Sequence, residues 1–159
     1  MYGRDILQSG AWSIRCAIGR SGRTMHKKEG DGASPVGEYD ILSWRLRAVV
    51  GAPRPCAPWR ATRETDGWCD DPAHGAYNRA VVLPFPASCE TMWRDDGKYH
   101  AVGVLDYNVR RRAKRRGSAI FFHICDDDYA PTAGCIAIPA REMRKLLPRL
   151  ARTTRISIV

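Results

Sequence analysis

His123 and Cys135, in the run FFHICDDDYAPTAGCIAI, are the residues of this chain best suited to covalent chemistry. Acyl transfer through a thiol needs a thiolate, a base that makes it, and donors for the oxyanion that forms on the attacked carbonyl. A free cysteine titrates at about 8.5, so a neighbouring imidazole matters. A strand over 118–125 is expected to carry His123 at its end, and the step to Cys135 reads as a loop returning the chain to an adjacent strand. The two side chains then meet across neighbouring strand ends. Gly134 permits a sharp turn and backbone N–H groups aimed at developing charge. Thr132 adds a hydroxyl to the same loop, and Ala133 completes it. Ordinary packing is the competing reading, because free cysteines are often buried.

The elements that must position this pair are mainly strands. Residues 12–18 (WSIRCAI) alternate as a half-buried strand, with 24–28 (TMHKK) as a hairpin partner. After the glycine- and proline-rich turns of GDGASPVG, residues 38–44 read as a strand, and further strands are expected at 80–84, 100–105, 118–125 and in the final RISIV. GAPRPCAPWR at 51–60 excludes a central strand and favours a stiff surface loop. GWCDDP at 67–72 reads as a loop. In PAREMRKLLPRL, Met143, Leu146, Leu147 and Leu150 recur at helical spacing behind Pro139. The expected architecture is a mainly β, single-domain sandwich or barrel-like fold over 1–159 with one or more short helices.

Composition narrows the function classes. There are 26 Lys and Arg against 17 Asp and Glu, a formal charge of +9 that favours anionic partners. No window carries the apolar run of a membrane span, so no membrane insertion is expected. Met1–Gly10 lacks the pattern of a secretory signal. The six cysteines include no CxxC pair, which leaves a zinc ribbon or thioredoxin-type site without support. Asp126–Asp128 lacks the alternation of a calcium loop. No metal and no cofactor are expected.

The stretch His123…Thr132-Ala133-Gly134-Cys135-Ile136, followed by a helix, resembles the signature of the L,D-transpeptidase (YkuD-type) catalytic domain. The segment KKEGDGASPVGEYDI at 27–41 is similar to that family's Thr/Ser-Pro-x-Gly-x-Tyr/Phe motif, and order and separation also agree. The resemblance runs from about residue 11 to the C terminus. It implies Cys135 as nucleophile, His123 as base, Gly134 and the Cys135 N–H as oxyanion donors, and Thr132 and Ala133 in the positioning loop. It also implies peptidoglycan stem peptides as substrate, covalent capture by carbapenems, and a periplasmic or cell-envelope location. Three positions depart from the family pattern. Ile124 stands where Gly usually follows the His, Ala133 where a second His is common, and Ala137 where an Arg follows Cys-Ile.

Trp68 and Tyr77, with Asp70 and Asn78, form a group able to line a glycopeptide groove or simply to cap the core. Tyr107, Arg115 and Arg141 are further candidates for substrate contact. Arg110–Arg116 holds six cations in seven positions. It has no interleaved aromatic residue and no reader motif, so a solvated basic loop suited to an anionic cell wall is favoured over nucleic-acid binding. The functional expectation is a monomeric cysteine acyltransferase forming 3-3 or 1-3 cross-links between stem peptides. Hydrolysis of the thioester, as carboxypeptidase or as an amidase releasing wall-linked protein, is the alternative within enzymes. A non-catalytic basic binding module is the alternative outside them.

Overall fold

The computed structural model describes residues 5–47 and 52–159. Its strands are β1 (Ile6–Ser9), β2 (Trp12–Arg15), β3 (Arg23–Thr24), β4 (Ser34–Pro35), β5 (Gly37–Leu46), β6 (Trp59–Ala61), β7 (Asp66–Cys69), β8 (Arg79–Val82), β9 (Cys89–Thr91), β10 (Ala101–Leu105), β11 (Phe121–Cys125), β12 (Ile136–Pro139) and β13 (Arg155–Ile158). The one α-helix among the described residues, α1, spans Ala140–Leu146 and tightens into a 3-10 turn at Leu147–Arg149. A mainly β fold with a short helix is therefore what the chain adopts.

The central sheet has six strands, in the order β12-β11-β10-β5-β13, with β6 also on β5. Strand β5 is long enough to serve two partners along one edge: its start pairs with β13 and its end with β6. The sheet stays open rather than closing into a barrel; beyond β12, among the described residues, the bridge between Ala17 and Ala137 alone extends it. Strands β11 and β12 run parallel, with Phe122 opposite Ile136 and His123 opposite Ala137. Both are covered on both faces, which is why their sequences are almost continuously apolar.

One face carries Trp44, Leu46, Phe122, Ile136 and Ile138, packed against Met143, Leu146 and Leu147 of the helical segment. Burying each such side chain contributes roughly 1.5–3 kcal/mol. Gly103 lies at the centre of this sheet because a Cβ there would stand 3.1 Å from the Trp44 ring. The opposite face carries Val102, Val104, Phe121 and Cys135 beneath Trp68, Met92 and Tyr99. Trp68 comes from a second, three-stranded sheet ordered β8-β7-β9.

Several local expectations are corrected here. TMHKK does not return as a hairpin: β2 pairs with β1, and β3 pairs in parallel with β4. GWCDDP is a loop only in its second half, since Asp66–Cys69 is the middle strand of the three-stranded sheet and loop begins at Asp70. Being buried on both sides, it shows none of the alternation that marks a half-exposed strand. His123 sits mid-strand in β11 rather than at its end. Of the proline-rich 51–60 stretch, Gly51 lies outside the described residues; the rest is loop until β6 begins at Trp59.

Candidate active site

Register brings the pair together. Cys135 immediately precedes β12, and the parallel pairing sets it beside Phe121, two residues before His123 on the same face of β11. Both line one cleft of about 310 Å³, together with Thr132 and Ala133. The Cys135 sulfur accepts the Phe121 N–H at 3.4 Å, and its S–H donates to the Ala119 carbonyl at 3.3 Å. The His123 Nδ1 lies 2.8 Å from the Ile124 carbonyl. A carbonyl can only accept, so the contact assigns the ring proton to Nδ1 and leaves Nε2 as the basic nitrogen. Tyr99 stands edge-on to the imidazole, with ring centroids 5.1 Å apart, and fixes it from the side.

The loop before the cysteine is held from two directions. Locally, Thr132 donates its hydroxyl to the Cys135 carbonyl at 2.7 Å and accepts the Gly134 N–H at 3.1 Å. From far away in sequence, the Ser34 hydroxyl donates to the Gly134 carbonyl and accepts the Gly19 N–H, both at 2.9 Å. Gly134 has φ +140, and a Cβ there would meet the Ala33 carbonyl oxygen at 2.8 Å, so only glycine fits between the two segments. The Gly134 N–H is thus engaged by Thr132. The Cys135 N–H has no protein acceptor among the described residues and is the donor left for an oxyanion.

Ser34 is completely buried. Ser34→Ala removes one partner from each of two buried backbone groups, and the expected loss of stability is about 2–4 kcal/mol. Denaturant unfolding should show a lower midpoint at unchanged slope. A midpoint within error of the native protein's would show that the clamp contributes nothing.

Electrostatically the pair is at rest. Burial pushes the Cys135 thiol up to about 12, with the Glu90 carboxylate adding to the shift. Burial pushes His123 down to about 4, offset in part by its bond to Ile124. At neutral pH the site therefore holds a thiol and a neutral imidazole rather than a thiolate–imidazolium pair. From that state the thiol could act as a nucleophile only if its proton moved during the attack.

The cleft is not basic, although the chain is. Its three cations are each already paired: Lys27 with Asp31 at 2.5 Å, Arg94 with Asp96 at 2.5 Å and Lys98 with Asp126 at 2.8 Å. Glu29, Asp70 and Glu90, which also line it, have no cationic partner among the described residues. Glu29 accepts from Tyr77 and, at 2.9 Å, from the Ser118 hydroxyl, while Glu90 accepts from Tyr99. One Asp70 carboxylate oxygen is buried without a hydrogen-bond partner.

The remaining sequence candidates lie elsewhere. Trp68 is buried edge-on against Phe121 and donates its indole N–H to Asn78 at 2.9 Å. Asn78 also accepts the Ala119 N–H at 3.0 Å, so Trp68 supports the segment that holds the Cys135 sulfur rather than lining the cleft. Tyr77 is buried with its hydroxyl on Glu29, and Tyr107 donates to the Arg116 carbonyl at 2.5 Å. Arg115 is exposed in the basic loop. Arg141 is exposed on α1, paired with Asp127 at 3.6 Å and Glu142 at 3.4 Å. Sequence reasoning missed Glu90 and Tyr99, which belong to no motif. Ser34 stood inside SPVGEY without an assigned task.

The profile of the L,D-transpeptidase catalytic domain (YkuD) matches residues 6–158, nearly the whole chain. The chain belongs to this family. No curated protein matches it. For an L,D-transpeptidase domain, the departure at position 137 stands directly opposite His123 in the β11–β12 register. Ala137 is fully buried beside Ala17 and Cys125 and exchanges two backbone hydrogen bonds with Ala17, at 2.8 and 2.9 Å. Ile124 points away from the cleft toward the helix-covered face, and its contribution to the site is its carbonyl. Ala133 keeps an exposed place at the cleft wall. L,D-transpeptidase domains act on peptidoglycan stem peptides, and no helix among the described residues is long and apolar enough to cross a membrane.

Proposed function

We propose that this domain cross-links peptidoglycan stem peptides through a thioester on Cys135. The observation that carries the reading is the placement of Cys135 and His123 on one sheet face in one cleft, with His123 Nδ1 held by a carbonyl and Nε2 left basic. Cys135 attacks the carbonyl that links the third, diamino-acid residue of a donor stem to its terminal D-Ala. As the S–C bond forms, Nε2 takes the thiol proton, so no free buried thiolate has to exist beforehand. The oxyanion lies at the Cys135 N–H, in the turn that Thr132 and Ser34 hold rigid. On collapse, the C–N bond breaks and the imidazolium returns its proton to the D-Ala amine. An amine of a second stem then attacks the thioester, His123 takes its proton, and the thiol is restored as the new amide forms. A 3-3 or 1-3 link results, according to which amine enters. Such a substrate places the enzyme in the periplasm or cell envelope.

The acidic cleft wall supports an amine-bearing substrate. Glu90 and Asp70 offer unpaired negative charge to an incoming ammonium, which a purely anionic ligand would find repulsive. Purified tetrapeptide stems incubated with the protein should yield dimer and one released D-Ala per link. Tripeptide monomer and D-Ala without dimer would replace this reading by a carboxypeptidase, in which water resolves the thioester.

A further inference from the structure

The basic run is a built loop. Asn108 donates to the carbonyls of Ala113 and Gly117 at 3.0 and 2.9 Å and accepts the Ala113 N–H at 2.8 Å. Arg112 and Arg115 adopt left-handed backbone at φ 48 and 62, which fixes two tight bends within the run. With its backbone held, the loop presents Arg110, Arg111, Lys114, Arg115 and Arg116 to solvent. None of the ion pairs among the described residues involves any cation from Arg110 to Arg116. Six like charges held close together without counter-charges repel one another, a cost that a polyanionic partner removes.

The loop abuts the cleft. The Glu29 N–H donates to the Arg115 carbonyl at 3.0 Å, and Glu29 lines the cleft. Gly117 packs against the stem of Lys27, another cleft residue, and Ser118 and Ala119 continue directly into the cleft wall. A basic rim therefore stands beside a cleft whose unpaired charge is negative. A nucleic acid offers phosphates to both and is repelled by the second; the loop also lacks the aromatic platforms that stack bases. A polymer carrying carboxylates and amines on short branches suits both surfaces.

We propose that Arg110–Arg116 is a docking surface for the carboxylates of stem peptides neighbouring the one in the cleft, so that the enzyme engages the peptidoglycan polymer rather than isolated stems. This rests on the proposed function and extends its substrate from a single stem to several borne on one strand. Each ion pair is weak at the surface, and the gain comes from multivalency at high effective concentration.

The test is co-sedimentation of the full chain with purified insoluble peptidoglycan, comparing the native protein with a triple variant, Arg110→Gln, Arg111→Gln and Arg116→Gln. Glutamine keeps the length and polarity of the side chains. Native binding should weaken steeply as salt rises from about 50 mM to about 300 mM, where the Debye length falls to roughly 6 Å and exposed ion pairs are largely screened. The triple variant should bind about tenfold more weakly at low salt. Peptidoglycan whose carboxylates have been amidated should bind the native protein as weakly. The rate of carbapenem adduct formation at Cys135 should be unchanged in the variant, since no reacting group is altered. Equal binding by variant and native protein, or undiminished binding to amidated peptidoglycan, overturns the proposal. So does displacement of the native protein from the wall by a short DNA duplex but not by a polyglutamate of equal total charge, which would make the loop a phosphate reader. If the wall is bound as described but no adduct forms on Cys135, the catalytic reading fails and the docking surface stands.

Discussion

Cys135→Ala will abolish acyl-adduct formation with a carbapenem and with tetrapeptide stems, lowering turnover by on the order of 10⁴- to 10⁶-fold. The expectation follows from the number of groups that converge on this sulfur. The Phe121 N–H and the Ala119 carbonyl hold it, the 132–135 turn aims it, and His123 stands two residues along the neighbouring strand. No other thiol has that setting. Cys16 is buried on the sheet face away from the cleft, and Cys56 is exposed in the proline-rich loop. Cys125 shares the cleft but belongs to the separate small cluster with Ala17 and Ala137. The substitution removes one buried sulfur and should cost only about 1 kcal/mol of stability, so the variant remains folded. Intact mass after incubation with the drug gives the answer directly. An adduct of undiminished yield in Cys135→Ala would assign the chemistry to another cysteine and end the proposed mechanism.

The second large effect is in the pH dependence of Cys135 alkylation by iodoacetamide. Only the thiolate reacts, and burial has pushed this thiol up to about 12. Below that value the thiolate fraction rises about tenfold per pH unit, so the rate should climb on the order of 10³-fold between pH 7 and pH 10 without levelling. Digestion and mass analysis of the Cys135 peptide separates this signal from the other five cysteines. A preformed ion pair behaves differently, with a plateau through neutral pH bounded below by the thiol and above by the imidazolium. His123, pushed down to about 4, is neutral across the whole range and supplies no imidazolium to support such a plateau. A flat profile between pH 6 and 8 would contradict the resting thiol–imidazole state and the concerted proton transfer derived from it.

The two results bear on one design. On the proposed mechanism, a buried neutral pair keeps the thiol unreactive toward small solutes, and attack begins when a bound carbonyl lies close enough for sulfur to lose its proton to Nε2. Burial that raises a nucleophile's pKa and lowers its base's is unfavourable to ion-pair activation, yet it strengthens any hydrogen bond the substrate makes inside. On that reading substrate selection depends on groups around the pair, among them Glu90 in the cleft wall and Tyr99, edge-on to His123.

What was legible in the linear chain was local. Thr132, Gly134 and Cys135 bond to one another across two or three residues, so their pattern survives in the linear sequence. Long apolar runs at β10 and β11 and the periodic face of α1 were equally legible, because burial imprints composition and spacing. The strand at Asp66–Cys69 was not legible, because its Trp68 and Cys69 are covered on both sides and flanked by a glycine and two aspartates that resemble a turn. The substrate-contact role expected of Trp68, Tyr77, Tyr107 and Arg141 rested on residue type alone, and type does not say which way a side chain faces.

Residue types and their order along the chain specify the candidate thiol and imidazole, the glycine that lets them be presented, and the excess of positive charge. Tertiary structure decided the rest. The parallel register of β11 on β12 sets Cys135 two residues from His123 on one face, whereas a shift of a single residue would have sent one of them into the helix-covered core. The Ser34 clamp joins residues 100 positions apart. The acidic wall of the cleft is assembled from Glu29, Asp70 and Glu90, on three separate segments. Contacts of that range leave no periodicity behind, because each depends on where whole strands come to rest and not on the spacing of neighbours along the chain.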